Sequence, residues 1–531
     1  MTIKPEAFEQ LKAAVGEENA SRSRVVLESY ATNWCVEIIN SADAGGVGSQ
    51  FSHVPAAVVL PGSTEEVVAV VKVCREHGLK FKAQSTGFGA WNQPSSEDVV
   101  ILDLRRMNRI VEIDPVNMLA VLEPYVTGAQ LQSELMRQGL TCHMPGAGPQ
   151  VSPLASHTSM AGPGFTSPAT SHSSRNVLGV EWVLPTGEVL YLGSRGLKDP
   201  AHARWFTADG PGPSLRGIMR GLMGAKSGNG IFTKVAIKLY PYPCATTWNL
   251  RGTAPRYEFQ LPDFTQLHVV DYPTLERMEE GLYRIEEEEV CFMTTHTSTF
   301  GLAVIFSHGI WALVKKTLAV LFRRVKHPLV LLVAARTRRE FEYKEKVLRH
   351  VVEETGGRDL TATGKFKVPS LAYAESLRPM LGFHAFIIGT TFQSVLGGMD
   401  TFTMCRKMIR DNVPLKRKYI KRKVIANDGG DGVWATSYEH GHFFHAEMPT
   451  MYDQGERRSC EGMVEYLEAS NQLALANRLG LPFFIEGDEA HDWAGPQCSN
   501  YHLWLRRFKK LLDPDETADS GFYISAKERP S

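Results

Sequence analysis

The sequence lacks most of the features that assign a class at sight. It has no net charge: Lys+Arg and Asp+Glu each number 58 in 531 residues, so no cationic excess points to nucleic acid. It has no run of about 18 uninterrupted apolar residues, the length a membrane-spanning helix needs. The N-terminal MTIKPEAFEQLKAAVG is polar and amphipathic and has no apolar signal-peptide core. Its eight cysteines (Cys35, Cys74, Cys142, Cys244, Cys291, Cys405, Cys460 and Cys498) are scattered without a CxxC pair. Isolated thiols of that kind read as reduced, buried packing residues of a cytoplasmic protein. There is no internal repeat and no low-complexity tail. What remains is a long chain that is 43% hydrophobic, enough for two or more domains with separate cores.

The first 245 residues alternate strand and helix signals. A helix and a loop fill 1 to about 50. AAVVL (Ala56–Leu60) reads as a strand. In PGSTEEVVAVVKVCREHG, Ser63 or Thr64 can cap a helix, Glu65 and Glu66 sit in its first turn and Gly78 ends it. Further strands begin at Phe81 and cover VVILDL (Val99–Leu104) and MLAVLEP (Met118–Pro124). GAQLQSELMRQGL is a second helix, and NVLGVEWVLPTGEVLYL is a hairpin with Pro and Gly at its turn. IFTKVAIKL (Ile231–Leu239) gives another strand. In the middle, a strand at Leu329–Ala335 precedes a charged amphipathic helix, half of a ferredoxin-like β-α unit. Helices are expected over 395–425 and 456–480, and a basic one in YHLWLRRFKKLLDPDE. Phe300–Pro328 is apolar, aromatic, basic and free of acidic residues. It reads either as a buried or oligomer-facing helix, or as a helix lying in the plane of an anionic membrane.

Three glycine-rich stretches carry the chemistry. They are QSTGFGAWNQP (84–94), MPGAGPQVSPLASHTSMAGPGFTSP (144–168) and AKSGNGIFTKVAIKLYPYP (225–243). Phosphate oxygens need converging N–H donors, and glycine lets backbone approach and take positive φ. None of the three fits GxGxxG after a first strand or GxxxxGK[ST], so neither a nicotinamide cofactor nor ATP is indicated by spacing.

With these stretches stand AVVLPGSTEEVVAVVKVCREHG, VVILDLRRMNRIVEID, AVLEPYVTGAQLQSELMRQGL, NVLGVEWVLPTGEVLYLG and GPGPSLRGIMRGLMGAKSGNG, in that order. Together they resemble the flavoenzyme family of vanillyl-alcohol oxidase and 4-cresol dehydrogenase, strongly over roughly 50–245 and faintly again at LRRFKKLLDPDETADSG. The resemblance implies an α+β protein: a two-lobed FAD-binding domain of the p-cresol methylhydroxylase (PCMH) type at 1–245, a ferredoxin-like α/β cap at 246–500, and a segment at 501–531 returning to the first domain. It further implies that Ser85, Thr86, Gly87, Phe88 and Gly89 wrap the pyrophosphate of FAD. Gly146, Ser159, Gly162, Gly164, Phe165 and Thr166 would line the flavin, with Gly230, Ile231 and Thr233 against it. No histidine lies between Gln84 and Trp91, so a covalent link to FAD would have to come from the cap. Asp519-Ser520-Gly521-Phe522 stands where relatives often carry Pro-Gly-Lys.

Substrate chemistry is expected in TSYEHGHFFHAEMP (436–449) and FFIEGDEAHDW (483–493). His442, His445 and Glu486 could act as catalytic groups or bind a divalent metal such as zinc, and Arg378 could pair with a substrate carboxylate. The Gly-Asp-Gly-Asn core of the metal-dependent hydroxy-acid dehydrogenases is absent, as is the Tyr-Arg pair of the phenol oxidisers. The expected activity is hydride transfer to FAD from a small alcohol or alkylphenol. His442 or His445 would serve as base, and oxygen or an electron-transfer partner as acceptor. The alternatives are a metal-assisted 2-hydroxy-acid dehydrogenase, a redox-neutral enzyme like alkyl-dihydroxyacetonephosphate synthase, and a flavin carrier without its own substrate. A cytoplasmic homo-oligomer is expected, with peripheral membrane contact through 300–328 as a further reading.

Overall fold

The structure is a computed structural model that describes residues 3–31, 53–87, 93–144, 148, 150–159, 162–193, 214–219, 224–253, 256–305, 307, 310–322, 324–362, 368, 376–377, 391–453, 455–480 and 485–527. Two sheets make up the first region. Strands β1 (Ala20–Ser21), β2 (Ala57–Val59), β3 (Lys80–Gln84) and β4 (Val99–Asp103) lie in the order β1-β2-β4-β3, with β2, β4 and β3 parallel. Every residue of β2 and β4 is buried, as expected for parallel strands covered on both faces. The helix Thr64–Glu76 starts where expected: Ser63 Oγ accepts from Glu66 N at 3.2 Å, a cap that contributes about 1 kcal/mol.

The second sheet is antiparallel. It holds β5 (Ile110–Asp114), β6 (Leu119–Leu122), β7 (Leu140–Cys142), β8 (Val177–Val183), β9 (Val189–Leu192) and β10 (Ile231–Pro241). The order is β5-β6-β10-β8-β9, with β7 on the other end of β10. Glu181 of β8 clamps the two sheets together, accepting from Thr64 Oγ1, from Thr233 Oγ1 at 2.9 Å and from Lys234 Nζ. Burial alone would raise its carboxyl pKa, but these donors outweigh burial and hold it below the usual range. A small ladder, β11 (Leu250–Thr253) with β12 (Arg256–Phe259), follows.

The middle of the chain forms one seven-stranded antiparallel sheet. Its strands are β13 (Thr265–Tyr272), β14 (Met293–Thr297), β15 (His327–Ala334), β16 (Arg358–Asp359), β17 (Thr391–Asp400), β18 (Trp434–Tyr438) and β19 (Phe443–Tyr452), in the order β16-β13-β15-β14-β18-β19-β17. Side chains alternate between its faces. Val270, Tyr272, Leu331, Val333, Phe444 and Ala446 pack into one core with the helices Leu275–Glu287, Arg338–Glu354 and Phe402–Lys421. Leu267, Val269, Met293, Val330 and Leu332 form the opposite core, together with Phe165 and Tyr242 of the first region. The sheet therefore roofs the first region.

The chain then returns. After the helix Tyr501–Leu512, Phe81 N donates to Thr517 O and Asp519 N to Phe81 O, both at 2.9 Å. The α+β architecture agrees with expectation. Two elements differ. Residues 391–400, expected as helix from 395, are strand β17 pairing with β19, and the helix begins only after the Thr401 cap. The glycines in TFQSVLGGMD weaken any periodic signal there. Phe300–Pro328, read as one helix, holds two, Thr299–Ile305 and Ile310–Phe322, and residues 311–319 of the second are not buried. Among the described residues no helix is long and apolar enough to cross a membrane.

Candidate active site

The glycine-rich stretches come together. Ser85, Thr86 and Gly87 follow β3, where Gly87 takes φ +72°. Beside them, the turn Ala225–Gly230 leans on β3 through Ser227, whose Oγ lies 3.3 Å from Ala83 N. Gly230 enters β10 at φ +115°, and a Cβ there would meet Val183 O at 2.3 Å. Gly164 is equally constrained, because a Cβ would lie 2.1 Å from Met144 O. These are the close backbone approaches that only glycine allows.

Around Gly162 the backbone is fixed by buried polar groups. Its carbonyl receives Ser173 Oγ at 2.9 Å and His143 Nε2 at 2.8 Å. Gly164 N donates to Ser167 Oγ at 3.0 Å. Phe165 and Thr166 are buried, while Ser159 is half-buried. Burial lowers the His143 pKa to about 4 and the His157 pKa to about 3, so both imidazoles are neutral. In these same loops several buried polar atoms have no partner among the described residues: His157 Nε2, Ser171 Oγ and Asn229 Oδ1. Buried polar groups are normally satisfied. A polar cofactor threading these loops would supply the missing partners, so the residues present fit a dinucleotide such as FAD.

The C-terminal segment seals this region with buried charge. Lys226 pairs with Glu486, and Lys82 Nζ lies 3.5 Å from Asp519 Oδ2 and 4.2 Å from the Phe522 ring centroid. Burial lowers the Lys226 pKa to about 8, although Glu486 opposes the shift. Asp519, where relatives often place Pro-Gly-Lys, also accepts Ser95 N at 3.0 Å.

Facing the loops is the wall formed by β18 and β19. Trp434, Thr436 and Tyr438 stand opposite Glu447, His445 and Phe443, so all six share a face. Their rings run on from those of the first region. Phe165 is 5.8 Å from Trp434, Trp434 is 5.3 Å from His445, and Tyr438 is 5.9 Å from His172. The hairpin tip docks on the loop below it, with Glu439 N donating to Ser167 O at 3.2 Å and His440 N to Pro168 O at 2.8 Å. Tyr438 Oη and Trp434 Nε1 are buried without a partner among the described residues. Burial raises the Tyr438 pKa well above its ordinary value, which keeps the phenol a donor. His445 is fully buried, with Nε2 3.7 Å from Glu447 Oε2.

The expected site residues divide accordingly. Ser85, Thr86, Gly87, Ser159, Gly162, Gly164, Phe165, Thr166 and Gly230 gather at the loops. Ile231 instead packs in the core between the sheets, and the Thr233 side chain is spent on Glu181. Phe88, Gly89, Gly146 and Arg378 lie outside the described residues. His442 needs correction. TSYEHGHFF is a hairpin rather than one strand, and Glu439, His440 and Gly441 all take positive φ. His442 is therefore exposed at the tip, while His445 is buried. The metal set His442, His445 and Glu486 also needs correction. Glu486 is engaged by Lys226, and among the described residues no three His, Cys, Asp or Glu side chains are placed to hold a metal ion. Trp434, Tyr438 and His172 were missed. Once the EHG turn is recognised, alternation along the strands places Trp434 and Tyr438 on the His445 face.

Residues 55–193 match the family model of the FAD binding domain. The chain is 34% identical over 197 residues to the flavoprotein subunit of 4-cresol dehydrogenase (hydroxylating) from Pseudomonas putida, covering 36% of each chain. It is 32% identical over 214 residues to 1'-carboxy-chondrochloren decarboxylase from Chondromyces crocatus, covering 38% of this chain and 37% of that protein. These matches thus span little more than a third of the curated relatives. Over the whole chain the fold is that of p-cresol methylhydroxylase, with a TM-score of 0.76 at 17% identity, covering 99% of this chain and 98% of the other. The 4-ethylphenol oxidase of Gulosibacter chungangensis superimposes with a TM-score of 0.73 at 18% identity, covering 98% and 97%. These findings bear out the resemblance carried by the glycine-rich motifs, the FAD-binding domain and the two-domain fold.

Proposed function

We propose that this FAD-binding protein is an oxidoreductase that takes hydride from a small aromatic alcohol or alkylphenol seated between the Phe165–His172 loop and the β18–β19 wall. The observation that carries this reading is a wall of aromatic rings holding two buried hydrogen-bond donors without partners among the described residues, Tyr438 Oη and Trp434 Nε1. It faces a loop of the domain that matches the FAD-binding family. An aromatic ring with an oxygen substituent fits such a surface, because the rings bury its apolar body and the donors meet its oxygen.

Bound FAD would supply the hydride acceptor. This chain's own residues would do the rest. Ser85, Thr86 and the backbone at Gly87, Gly164 and Gly230 would hold the cofactor. Phe165, Trp434 and Phe443 would orient the substrate ring and exclude water. Tyr438 Oη and Trp434 Nε1 would donate to the substrate oxygen, and His445 Nε2 would take the proton released there. The Glu447 carboxylate would stabilise the imidazolium so formed. The relatives named for 4-cresol and 4-ethylphenol oxidation support an aromatic substrate. Oxygen or an electron-transfer partner is the proposed acceptor, the whole being a homo-oligomer with a first domain at 1–245, a cap at 246–500 and a returning tail. Turnover tested with para-alkylphenols, benzylic alcohols and 2-hydroxy acids, using an artificial electron acceptor, checks the reading. Activity on the aromatic compounds is expected, and activity confined to 2-hydroxy acids would overturn it.

A further inference from the structure

The helix Ile310–Phe322 lies at the surface. Residues 311–319 read WALVKKTLA, six of nine apolar, yet none of the nine is buried. Trp311 is 78%, Leu318 51% and Val314 45% exposed. Taken at 100° per residue, Val314, Leu318, Trp311, Lys315 and Ala319 follow one another around one side of the helix. These five are the exposed ones. The helix packs on Thr299–Ile305. The two helices project from between β14 and β15, closed at the base by Thr299 Oγ1 on Val325 O at 3.2 Å.

Charge narrows what can cover this face. Residues 290–339 contain eight Lys or Arg and no Asp or Glu, in a chain whose total charge is zero. Lys315, Arg324 and Lys326 are exposed on or just beyond the helix. A second copy meeting this face about a two-fold axis would set these cations against their own images, and the segment 290–339 that carries them offers no carboxylate of its own to pair them. A helix of 13 residues is about 20 Å long, short of the roughly 30 Å needed to span a bilayer. An apolar stripe with Trp at one end and Lys and Arg at its border suits the headgroup boundary.

We propose that the exposed face of Ile310–Phe322 docks on an anionic lipid bilayer, with Trp311, Val314 and Leu318 entering the acyl boundary and Lys315, Arg324 and Lys326 meeting the headgroups. The proposal goes beyond the hydride chemistry and stands without it. It has a consequence for the site. Leu302 and Val325, at the root of the helix pair, belong to the same core as Phe165 and Trp434, so the helix that would meet the lipid is rooted in the core that borders the proposed substrate site.

The test uses the full chain, sedimented with vesicles of phosphatidylcholine alone and of equal parts phosphatidylcholine and phosphatidylglycerol. Sedimentation with the anionic vesicles is expected, much less with the neutral ones, and less again as salt is raised. Leu318→Glu and Lys315→Glu should each weaken the partition about tenfold or more. Both positions are exposed, so unchanged thermal unfolding should accompany the loss. Equal partition onto both vesicle types, or wild-type partition by both variants, would overturn the proposal. So would a dimer in solution that Leu318→Glu dissociates, since the face would then belong to a second copy.

Discussion

Lys226 and Glu486 lie 260 residues apart in the chain and form an ion pair whose side chains are each only 5% exposed. The pair fastens the start of the helix Gly487–Ala494 to the turn that leads into β10. Removing one partner takes from the other its facing opposite charge in a buried setting, which costs about 3–5 kcal/mol. Lys226→Met and Glu486→Met should each lower the unfolding free energy, measured by denaturant titration, by that much, whereas the double replacement should recover most of the loss. Equal losses in all three proteins would show that the pair is not the fastening.

The neutral buried histidines make the first domain sensitive to acid. In the unfolded chain each takes a proton near the ordinary imidazole value of 6.5, but in the folded chain His143 does so only near about 4 and His157 near about 3. Between those limits the unfolded state binds more protons, so stability falls as pH falls. The loss should approach about 2 kcal/mol per histidine between about pH 7 and about pH 5. Urea unfolding at the two pH values checks this, and His143→Gln should shrink the difference.

Glu286 works in the opposite direction. It lies on the helix Leu275–Glu287 beneath the cap sheet and is 3% exposed. Burial, against the smaller effect of the Ser437 and Thr294 hydroxyls, raises its pKa from 4.5 to about 7. The folded state therefore keeps a proton that the unfolded state has released, and stability falls as pH rises through that interval. Glu286→Gln should stabilise the protein above about pH 7, by about 3 kcal/mol at most, with little effect near about pH 4. A variant less stable than the wild type at high pH would contradict the assignment.

Tyr438 separates a substrate contact from a structural one. Its hydroxyl has no partner among the described residues, so Tyr438→Phe removes a buried polar group without breaking a bond to any of them. Thermal stability should hold or rise, while turnover of an alkylphenol should fall about tenfold or more through the lost substrate contact. His445→Gln should cost about 10²–10⁴-fold in turnover through loss of the proton acceptor.

Much of the first domain is legible in the sequence because its signals are local. Ser63 caps a helix, Pro185 and Gly187 turn a hairpin, and β2 and β4 are short apolar runs between turn residues. The loops around Gly164 and Gly230 are legible as well, since close backbone approach demands glycine. The substrate wall is less so. His442 and His445 are three residues apart, and strand spacing alone does not reveal that a left-handed turn at Glu439–Gly441 intervenes. Glu486 offers a metal ligand in sequence, and only the fold brings Lys226 to it. Strand β17 is hidden because its pairing with β19 is set by tertiary contact rather than by its own pattern.

The most direct test of the central claim is the visible absorption spectrum of the purified protein, supplied with FAD and recorded before and after a para-alkylphenol is added without oxygen. The account predicts a flavin band that the phenol bleaches. A protein that takes up no flavin would contradict the cofactor assignment, and a flavin band untouched by every alkylphenol and benzylic alcohol would contradict the proposed reaction.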